Sequence, residues 1–215
     1  MPWSTLVDSS SSPRPHICLP LGVEPRKPRL FWDGRWLNCM CKNSPFQMDG
    51  VGKVAQCSWE GAYQVTLDHK SGFHNIPLHP SSWRYFGLCW KGVYYVWTVL
   101  CFGWCSSPYI YHTLSEAVSQ YLRGKGIPTL AWLDDFWLTN ERATQHESSE
   151  DQARAAHSAT CLALTVFYKC GYFMSFSKCS LAPSTRRVYL GVICDSQTRR
   201  FEIPTDKLDK LEALI

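Results

Sequence analysis

Short stretches of alternating hydrophobic and polar residues recur along the chain, and this period of two predicts β-strands. The clearest of them, residues 63–67, ends directly at Asp68. Residues 85–90 and 93–99 flank Lys91-Gly92, a dipeptide that favours a tight hairpin turn. The other strand-like stretches are residues 30–32, 35–37, 127–133, 136–139, 187–194 and 200–203.

Apolar residues at helical spacing predict three helices. Residues 107–124 form the first, because Ser107 followed by Pro108 is a typical helix start and a glycine ends the segment. Its predicted apolar stripe consists of Ile110, Leu114, Val118 and Leu122. A second helix is predicted from Ser148 or Ser149 as far as Gly171, and a third begins at residue 205.

Two segments show a weaker pattern. Residues 1–25 are rich in serine and proline, and they are predicted to form a tail or linker. Residues 45–56 are expected to hold a short helix capped by Asp49. The order of strand, hairpin, helix, strand–turn–strand, helix and strands predicts an α+β fold, in which a central antiparallel sheet packs on helices.

The composition indicates a folded chain, since 45% of the residues are hydrophobic and 14% are aromatic. No run approaches the ~18 apolar residues of a membrane-spanning helix, and the N-terminus lacks the order of a secretory signal. We therefore expect an intracellular location, in the cytoplasm or nucleus, and no membrane partner. The net charge of +4 is compatible with a polyanionic partner but does not by itself indicate one.

The eleven cysteines have scattered spacings. A zinc site requires paired ligands at short spacing, and the nearest approach is Cys39 and Cys41, with Cys57 beyond them. We expect reduced thiols that pack as small apolar side chains, as is usual in intracellular proteins.

Asp134 and Asp135 stand between two apolar strand-like runs. Their simplest interpretation is a turn, because aspartate favours turns. Asp68 adds a functional interpretation, since it ends another predicted strand and carboxylates at the ends of neighbouring strands can converge on divalent cations. Two such ions about 3.5–4 Å apart are a common device for phosphoryl transfer, and oxygen ligands favour Mg²⁺.

Residues 65–80, VTLDHKSGFHNIPLHP, resemble the first catalytic motif of reverse transcriptases, and are most similar to that of DIRS-type retrotransposons. Residues 132–135, WLDD, resemble the second catalytic motif. Between them, residues 100–108, LCFGWCSSP, resemble the motif that contacts template and incoming nucleotide.

Three further motifs extend the resemblance. Residues 27–38, KPRLFWDGRWLN, resemble the fingers motif of the family. Residues 171–178 resemble the lysine motif of the palm, and residues 188–191 resemble the primer grip. Each motif is weak alone, but six in the family's order over residues 26–204 form a specific pattern. The resemblance implies a right-hand polymerase with fingers and palm.

The resemblance also implies catalytic roles. Asp68 and Asp134 are expected to hold two Mg²⁺ ions, with Mn²⁺ as an alternative. Asp135 lies nearby and is less directly involved. Lys178 is expected to protonate the leaving pyrophosphate as a general acid.

Four other residues are expected to bind the nucleotide. Arg29 pairs with the triphosphate, a role suited to a planar bidentate cation, and Lys27 assists. Phe73 lies under the deoxyribose and excludes a 2′-hydroxyl, while Gly103 permits a close backbone approach. The expected partners are an RNA or DNA template with its primer, and dNTPs.

In this interpretation residues 1–25 are a tail, residues 26–204 are fingers and palm, and residues 205–215 begin a further helix. A thumb and a ribonuclease H domain are expected to be absent. The function implied is RNA-directed DNA synthesis by a retroelement enzyme.

Some residues depart from the family pattern. Trp132 stands where Tyr or Phe is usual, Cys101 replaces a proline, and Gly34 replaces an apolar residue. These departures leave open a truncated or domesticated non-catalytic copy that at most binds nucleic acid. Another two-metal palm enzyme, such as a nucleotide cyclase, is disfavoured by the Gly103 and fingers motifs, because a cyclase needs no template.

Overall fold

The computed structural model describes residues 6–8, 14–25 and 30–214, with the side chains of residues 142 and 143 left aside. The chain separates into two compact units. The first unit is Met1–Phe46 with Ser71–Tyr111, and the second is Gln47–Lys70 with His112–Ile215.

Short strands and helices make up both units. The strands are β1 (Leu6–Asp8), β2 (Leu21–Val23), β3 (Leu30–Trp32), β4 (Gln64–Asp68), β5 (Gly87–Trp90), β6 (Val93–Trp97), β7 (Thr129–Trp132), β8 (Asp135–Thr139), β9 (Ser180–Ser184), β10 (Arg186–Tyr189), β11 (Val192–Asp195) and β12 (Arg200–Glu202). The helices are α1 (Arg35–Asn38), α2 (Val54–Cys57), α3 (Ser107–Gly124), α4 (Ser149–Lys169) and α5 (Thr205–Glu212).

The first unit is built on two small antiparallel sheets. One has the strand order β1-β6-β5, and the other pairs β2 with β3. The predicted hairpin joins β5 to β6, and Lys91 and Gly92 both have the positive φ (50° and 79°) that suits such a turn. Trp32 is fully buried, and its indole N–H donates to the Gly87 carbonyl at 2.9 Å, which fastens β3 to β5.

Two expectations for the first unit are corrected. Residues 35–37, predicted as a strand, belong to α1, because the Asp33 carboxylate accepts hydrogen bonds from the backbone and guanidinium of Arg35 and turns the chain. Residues 1–25, predicted as a tail or linker, contain β1 and β2, which pair with β6 and β3. A segment without marked alternation becomes a strand when another strand offers hydrogen-bonding partners.

The second unit contains a four-stranded antiparallel sheet with the order β7-β8-β4-β9. β8 lies inside this sheet, and its Phe136 and Trp137 are completely buried. α4 contacts β4, β8 and β9, and its fully buried residues Ala156, Ala163 and Phe167 recur at helical spacing. These elements confirm the predicted α+β fold with a central antiparallel sheet packed on helices.

Beside this sheet, β10, β11 and β12 form a second antiparallel sheet. Residues 187–194, predicted as one stretch, are divided between β10 and β11 by a turn at Leu190 and Gly191, which both have positive φ. β9 was not predicted because it contains Pro183 and serines, and such a strand is tolerated at the edge of a sheet.

Two further expectations for the second unit are corrected. Leu114, assigned to the apolar stripe of α3, is 41% exposed, and the buried positions beyond it are Ser115, Val118, Ser119 and Leu122. Asp49 does not cap the short helix at residues 51–57, since Gly50 occupies the cap position there. No helix in the described part of the chain is long and apolar enough to cross a membrane.

Candidate active site

The three carboxylates predicted to bind metal lie at the same end of the four-stranded sheet. Asp68 ends β4, Asp135 begins β8, and the two are directly paired in antiparallel register. Asp134 belongs to the turn between β7 and β8. The His69 backbone N–H donates to the Asp134 carbonyl at 2.9 Å, which ties the end of β4 to this turn.

The turn itself has an unusual backbone. Leu133, which precedes Asp134, has a φ of 49°, in the left-handed region that costs an L-residue roughly 1–2 kcal/mol. The conformation is maintained because Trp132 and Asp135 on either side are paired in the β7–β8 ladder. Lys91 and Leu190 have the same positive φ at the β5–β6 and β10–β11 turns, so the conformation of Leu133 is the one that a tight hairpin turn requires.

Residues 175–179 surround Asp68. The Ser175 N–H donates to the Asp68 carbonyl at 2.8 Å, and the Asp68 N–H donates to the Cys179 sulfur at 3.3 Å. Lys178 Nζ lies 3.3 Å from both carboxylate oxygens of Asp68. Sequence reasoning did not identify Ser175 or Cys179, because nothing in their local sequence indicates a partner in β4.

The site carries more negative than positive charge. Directly opposed residues of antiparallel strands have Cβ atoms about 4.5–5.5 Å apart, so the Asp68 and Asp135 carboxylates repel each other. Burial raises the pKa of Asp135, Asp68 raises it further, and Lys178 lowers it. His69 is stacked on Tyr172 with ring centroids 4.5 Å apart, and burial lowers its pKa to about 3, so it remains neutral and supplies no positive charge.

The candidate metal ligands at this site are the carboxylates of Asp68, Asp134 and Asp135. Among the residues that the structure describes, no group of three or more His, Cys, Asp or Glu side chains is arranged to hold a metal ion. The cation beside Asp68 is the Lys178 ammonium. Opposed carboxylates repel, and a bound divalent cation relieves such repulsion. Carboxylate oxygens are hard donors, so the chemistry of Asp68, Asp134 and Asp135 fits Mg²⁺.

Phe73 and Gly103 lie in the first unit. Phe73 is 8% exposed, and its ring packs against Phe102 and Tyr111 with centroids 4.9 and 5.5 Å away. Gly103 has a φ of 107°, and a Cβ at this position would clash with the Trp32 carbonyl. Both residues therefore have packing roles within their own unit, and their contacts with nucleotide stay predictions.

Lys27 and Arg29 fall outside the described residues, so their predicted contact with the triphosphate stays a prediction.

Cys101 and Trp132 are two of the departures from the family pattern, and both side chains pack against neighbouring parts of the fold. Cys101 is fully buried and its carbonyl accepts the Ser107 hydroxyl at 2.8 Å, whereas Trp132 is half-buried next to Gly50.

Asp49 is a residue whose importance only the structure reveals. It is 6% exposed, and it makes two hydrogen bonds to Ala131 of the edge strand β7: its N–H donates to the Ala131 carbonyl at 3.3 Å, and its carboxylate accepts the Ala131 N–H at 3.4 Å. Lys53 at 2.5 Å and Arg123 at 3.8 Å neutralise its charge. Asp49 thus holds the strand that leads into the Asp134 turn.

Replacement of Asp49 by alanine is expected to lower the free energy of unfolding by about 1–3 kcal/mol, because it leaves the buried Ala131 N–H without its acceptor. Urea denaturation followed by circular dichroism measures this loss. Asp206→Ala is the matched control, since its pair with Lys210 is exposed and is worth roughly 0–1 kcal/mol. Equal losses in the two variants would contradict the structural role of Asp49.

The raised pKa of Asp135 predicts a pH effect in the presence of EDTA. The folded state binds this proton more tightly than the unfolded state, so stability falls as pH rises from about 4 through the raised pKa. We expect Asp135→Asn to have a higher Tm than the unsubstituted chain at pH 7, and an equal Tm below pH ~3.5. Asp195→Asn should change Tm in the opposite direction at pH 7, because the Thr198 N–H lowers the pKa of Asp195. If Tm changed with pH in the same way in the two variants, the raised pKa of Asp135 would be refuted.

Comparison with known proteins identifies the class of the chain. Residues 22–194 match the family described as reverse transcriptase (RNA-dependent DNA polymerase). The chain therefore belongs to the reverse transcriptase family, as its motifs predicted. Members of this family generally use divalent metal ions.

Two viral polyproteins are similar in sequence to the chain. The chain is 26% identical over 127 residues to the Pro-Pol polyprotein of Feline foamy virus, covering 59% of this chain and 10% of that protein. It is 26% identical over 121 residues to the putative enzymatic polyprotein of Cassava vein mosaic virus, covering 56% of this chain and 18% of that protein. The chain thus spans less than a fifth of these relatives' lengths. The DIRS-type affinity stays a prediction.

Solved structures support the fold. The foamy viral protease–reverse transcriptase in complex with double-stranded DNA superposes with a TM-score of 0.74 at 20% identity, covering 97% of this chain and 34% of that chain. Its complex with an RNA/DNA hybrid gives a TM-score of 0.73 at 19% identity, covering 97% and 26%. At such identity the likeness concerns the fold alone, and it confirms the predicted fingers-and-palm architecture.

Proposed function

We propose that this chain forms the fingers and palm of an RNA-directed DNA polymerase, which adds dNTPs to a primer 3′-hydroxyl with two divalent cations at Asp68, Asp134 and Asp135. The observation that carries the proposal is the direct pairing of Asp68 with Asp135 beside the Asp134 turn. Residues 26–204 are the proposed fingers and palm, preceded by residues 1–25 and followed by the further helix at residues 205–215.

In the proposed reaction the primer 3′-oxygen attacks the α-phosphorus of the dNTP, and the bond to the β-phosphate oxygen breaks. When bound, Mg²⁺ ions lower the pKa of the attacking hydroxyl and neutralise charge on the leaving pyrophosphate. Asp68 and Asp134 supply carboxylate oxygens for these ions. Asp135 adds negative charge beside Asp68 and strengthens the attraction for cations.

Lys178 is the proposed proton donor to the pyrophosphate. Its side chain is 63% exposed, and 3.3 Å is longer than the ~2.7–2.9 Å of a strong charge-assisted hydrogen bond. The ammonium group can therefore leave Asp68 when a cation binds there. It is then free to donate a proton to the departing oxygen.

The nucleic-acid partners follow from the same proposal. The foamy viral structures contain double-stranded DNA and an RNA/DNA hybrid, and we propose a primed RNA or DNA template for this chain. Arg29 and Lys27 are the proposed triphosphate ligands. Phe73 is the proposed sugar gate, and Gly103 the proposed point of close approach to template or nucleotide.

Primer extension on RNA and DNA templates with Mg²⁺ or Mn²⁺ tests this function, and reactions with EDTA are the control. Extension that requires the metal supports the proposal. A second candidate is a non-catalytic copy that binds nucleic acid, and the departures from the family pattern at Trp132 and Cys101 favour it. Template binding without extension, under conditions in which the primer terminus is held correctly, would support that alternative.

A further inference from the structure

Gln64 is a buried polar residue at the first position of β4, at the opposite end of the strand from Asp68. It is 1% exposed. Its side-chain oxygen accepts the Trp137 indole N–H at 2.8 Å, and its side-chain nitrogen donates to the carbonyls of Thr185 at 2.9 Å and Cys194 at 3.2 Å. The amide oxygen and the amide nitrogen therefore both have partners inside the protein.

The chemistry of these partners favours glutamine over other side chains. An indole N–H can only donate and backbone carbonyls can only accept, so only one orientation of the amide satisfies all three groups. Glutamate has no N–H to donate, methionine has neither the donors nor a strong acceptor, and asparagine is one methylene shorter. A satisfied buried amide holds its neighbours in one arrangement, because a displacement leaves buried groups unpaired.

The hydrogen bonds of Gln64 join two sheets of the second unit. Trp137 lies in β8 of the four-stranded sheet, whereas Thr185 and Cys194 belong to the part of the β10–β11 hairpin that is distant from its turn. The Gln64 backbone carbonyl also accepts the Arg187 Nε–H at 3.3 Å. Gln64 therefore connects the base of this hairpin to β4.

The turn of the same hairpin lies near the proposed active site. Tyr189 belongs to a buried cluster that includes Leu130 of β7, and Leu190 of the turn packs against this cluster. Burial raises the pKa of Tyr189, and the charges of Asp49 and Asp135 raise it further. The hydroxyl of Tyr189 is therefore within range of the charge on a proposed active-site carboxylate.

The contacts at the turn are weaker than those at the base. The Tyr189 hydroxyl donates to the Asp49 carbonyl at 3.3 Å, which is long for such a bond, and the exposed Lys207 ammonium donates to the Gly191 carbonyl at 2.7 Å. The position of the hairpin is therefore set mainly at its buried base.

Ser196 makes a second buried connection at the base. Its hydroxyl donates to the Ala62 carbonyl at 2.7 Å. Loss of the Gln64 side-chain bonds is therefore expected to loosen the hairpin without releasing it from the fold.

We propose that Gln64 is a positioning residue of the active site, which holds the β10–β11 hairpin against β4 and so sets the position of the hairpin turn relative to Asp68 and Asp135. Gln64 itself touches no reacting atom. For catalysis its role rests on the proposed polymerase function, because the turn acts only on a substrate that binds at the carboxylates. The attachment of the hairpin does not depend on that function.

Hydrogen exchange of backbone amides in the unmodified chain and in Gln64→Met tests the attachment. Methionine keeps the length of the side chain and removes its three hydrogen bonds. Amides of β10 and β11 are expected to exchange about tenfold faster, which corresponds to the loss of one to two net hydrogen bonds, whereas amides of α4 change less than about twofold.

Thr139→Val is the matched control. Thr139 is paired with Gln64 in the β4–β8 register, and its hydroxyl donates to the Tyr63 carbonyl at 2.6 Å, outside the hairpin. This variant should leave the rates of β10 and β11 unchanged relative to those of α4. If Gln64→Met accelerates exchange equally in the hairpin and in α4, or if the control accelerates the hairpin selectively, the proposal is overturned.

Primer extension tests the catalytic consequence in a protein that extends primers, with or without an added thumb domain. Gln64→Met is expected to raise KM for the primed template roughly tenfold, less than the ~10²-fold that a misplacement of about 1 Å can cost, and Thr139→Val should not change it. A residue that only stabilises the fold would lower the number of active molecules and leave KM unchanged, and that result would overturn the positioning role. If the unsubstituted protein extends no primer, the proposed function fails, while the exchange rates still decide whether Gln64 fixes the hairpin.

Discussion

Primer extension is expected to be poor or absent for the isolated chain and to be restored when a thumb domain from a related reverse transcriptase is fused to it. The reason is positioning: the primer 3′-oxygen must be held within reaction distance of the α-phosphate, and correct orientation contributes on the order of 7–11 kcal/mol. The carboxylates at the ends of β4 and β8 are proposed to bind cations and not the duplex, so they do not supply this positioning. Gel-resolved extension of a labelled primer measures the difference.

Asp134→Asn in the fused protein is expected to reduce extension by roughly 10³-fold or more. An amide is a much weaker ligand for a hard cation, and metal ions contribute several kcal/mol to the stabilisation of such transition states. Asp151→Asn is the matched control, since it makes the same chemical change on the exposed surface of α4. Circular dichroism of both variants checks that they are folded.

The outcomes of this experiment separate the two interpretations of the chain. Extension restored by the thumb and lost with Asp134→Asn supports two-metal catalysis. If the fused protein binds a primed template but does not extend it, the departures at Trp132 and Cys101 become the suspected causes. Trp132→Tyr and Cys101→Pro, made together in the fused protein, would then test whether the family residues restore activity, and failure would favour a non-catalytic copy.

Phe73→Ala in the active fused protein is expected to reduce the discrimination between dNTPs and rNTPs. If the ring lies under the deoxyribose, its removal admits a 2′-hydroxyl, and the preference for dNTPs over rNTPs should fall roughly a hundredfold, the order of rejection that a steric pocket achieves for an added hydroxyl. The ratio of kcat/KM for dNTP and rNTP incorporation measures it.

The burial of Phe73 determines the temperature at which this experiment can be run. Phe73 is buried against Phe102 and Tyr111, so its truncation is also expected to cost about 3–5 kcal/mol of stability. The assay is therefore run well below the Tm of the variant. Phe102→Ala is the matched control, because it disturbs the same aromatic cluster. A fall in discrimination that is equal in the two variants would mean that Phe73 is only a packing residue.

The local sequence determined the elements that carry the candidate site. Alternation in residues 63–67 predicts β4 and its end at Asp68, and two apolar runs around Asp134 and Asp135 predict the β7–β8 hairpin. These predictions succeed because period and turn preference depend on neighbouring residues. The catalytic motifs are likewise continuous stretches, so the family was recognised from the sequence.

The tertiary structure decided which distant groups meet. The pairing of Asp68 with Asp135 depends on the register of β4 against β8, and the contact of Lys178 with Asp68 joins residues separated by 110 positions. Residues 1–25 contain β1 and β2 because β6 and β3 provide hydrogen-bonding partners for them. Asp49 forms hydrogen bonds to β7 and does not cap a helix. Hydrogen-bond partners and burial are set by packing between segments distant in the chain, which the pattern of neighbouring residues does not encode.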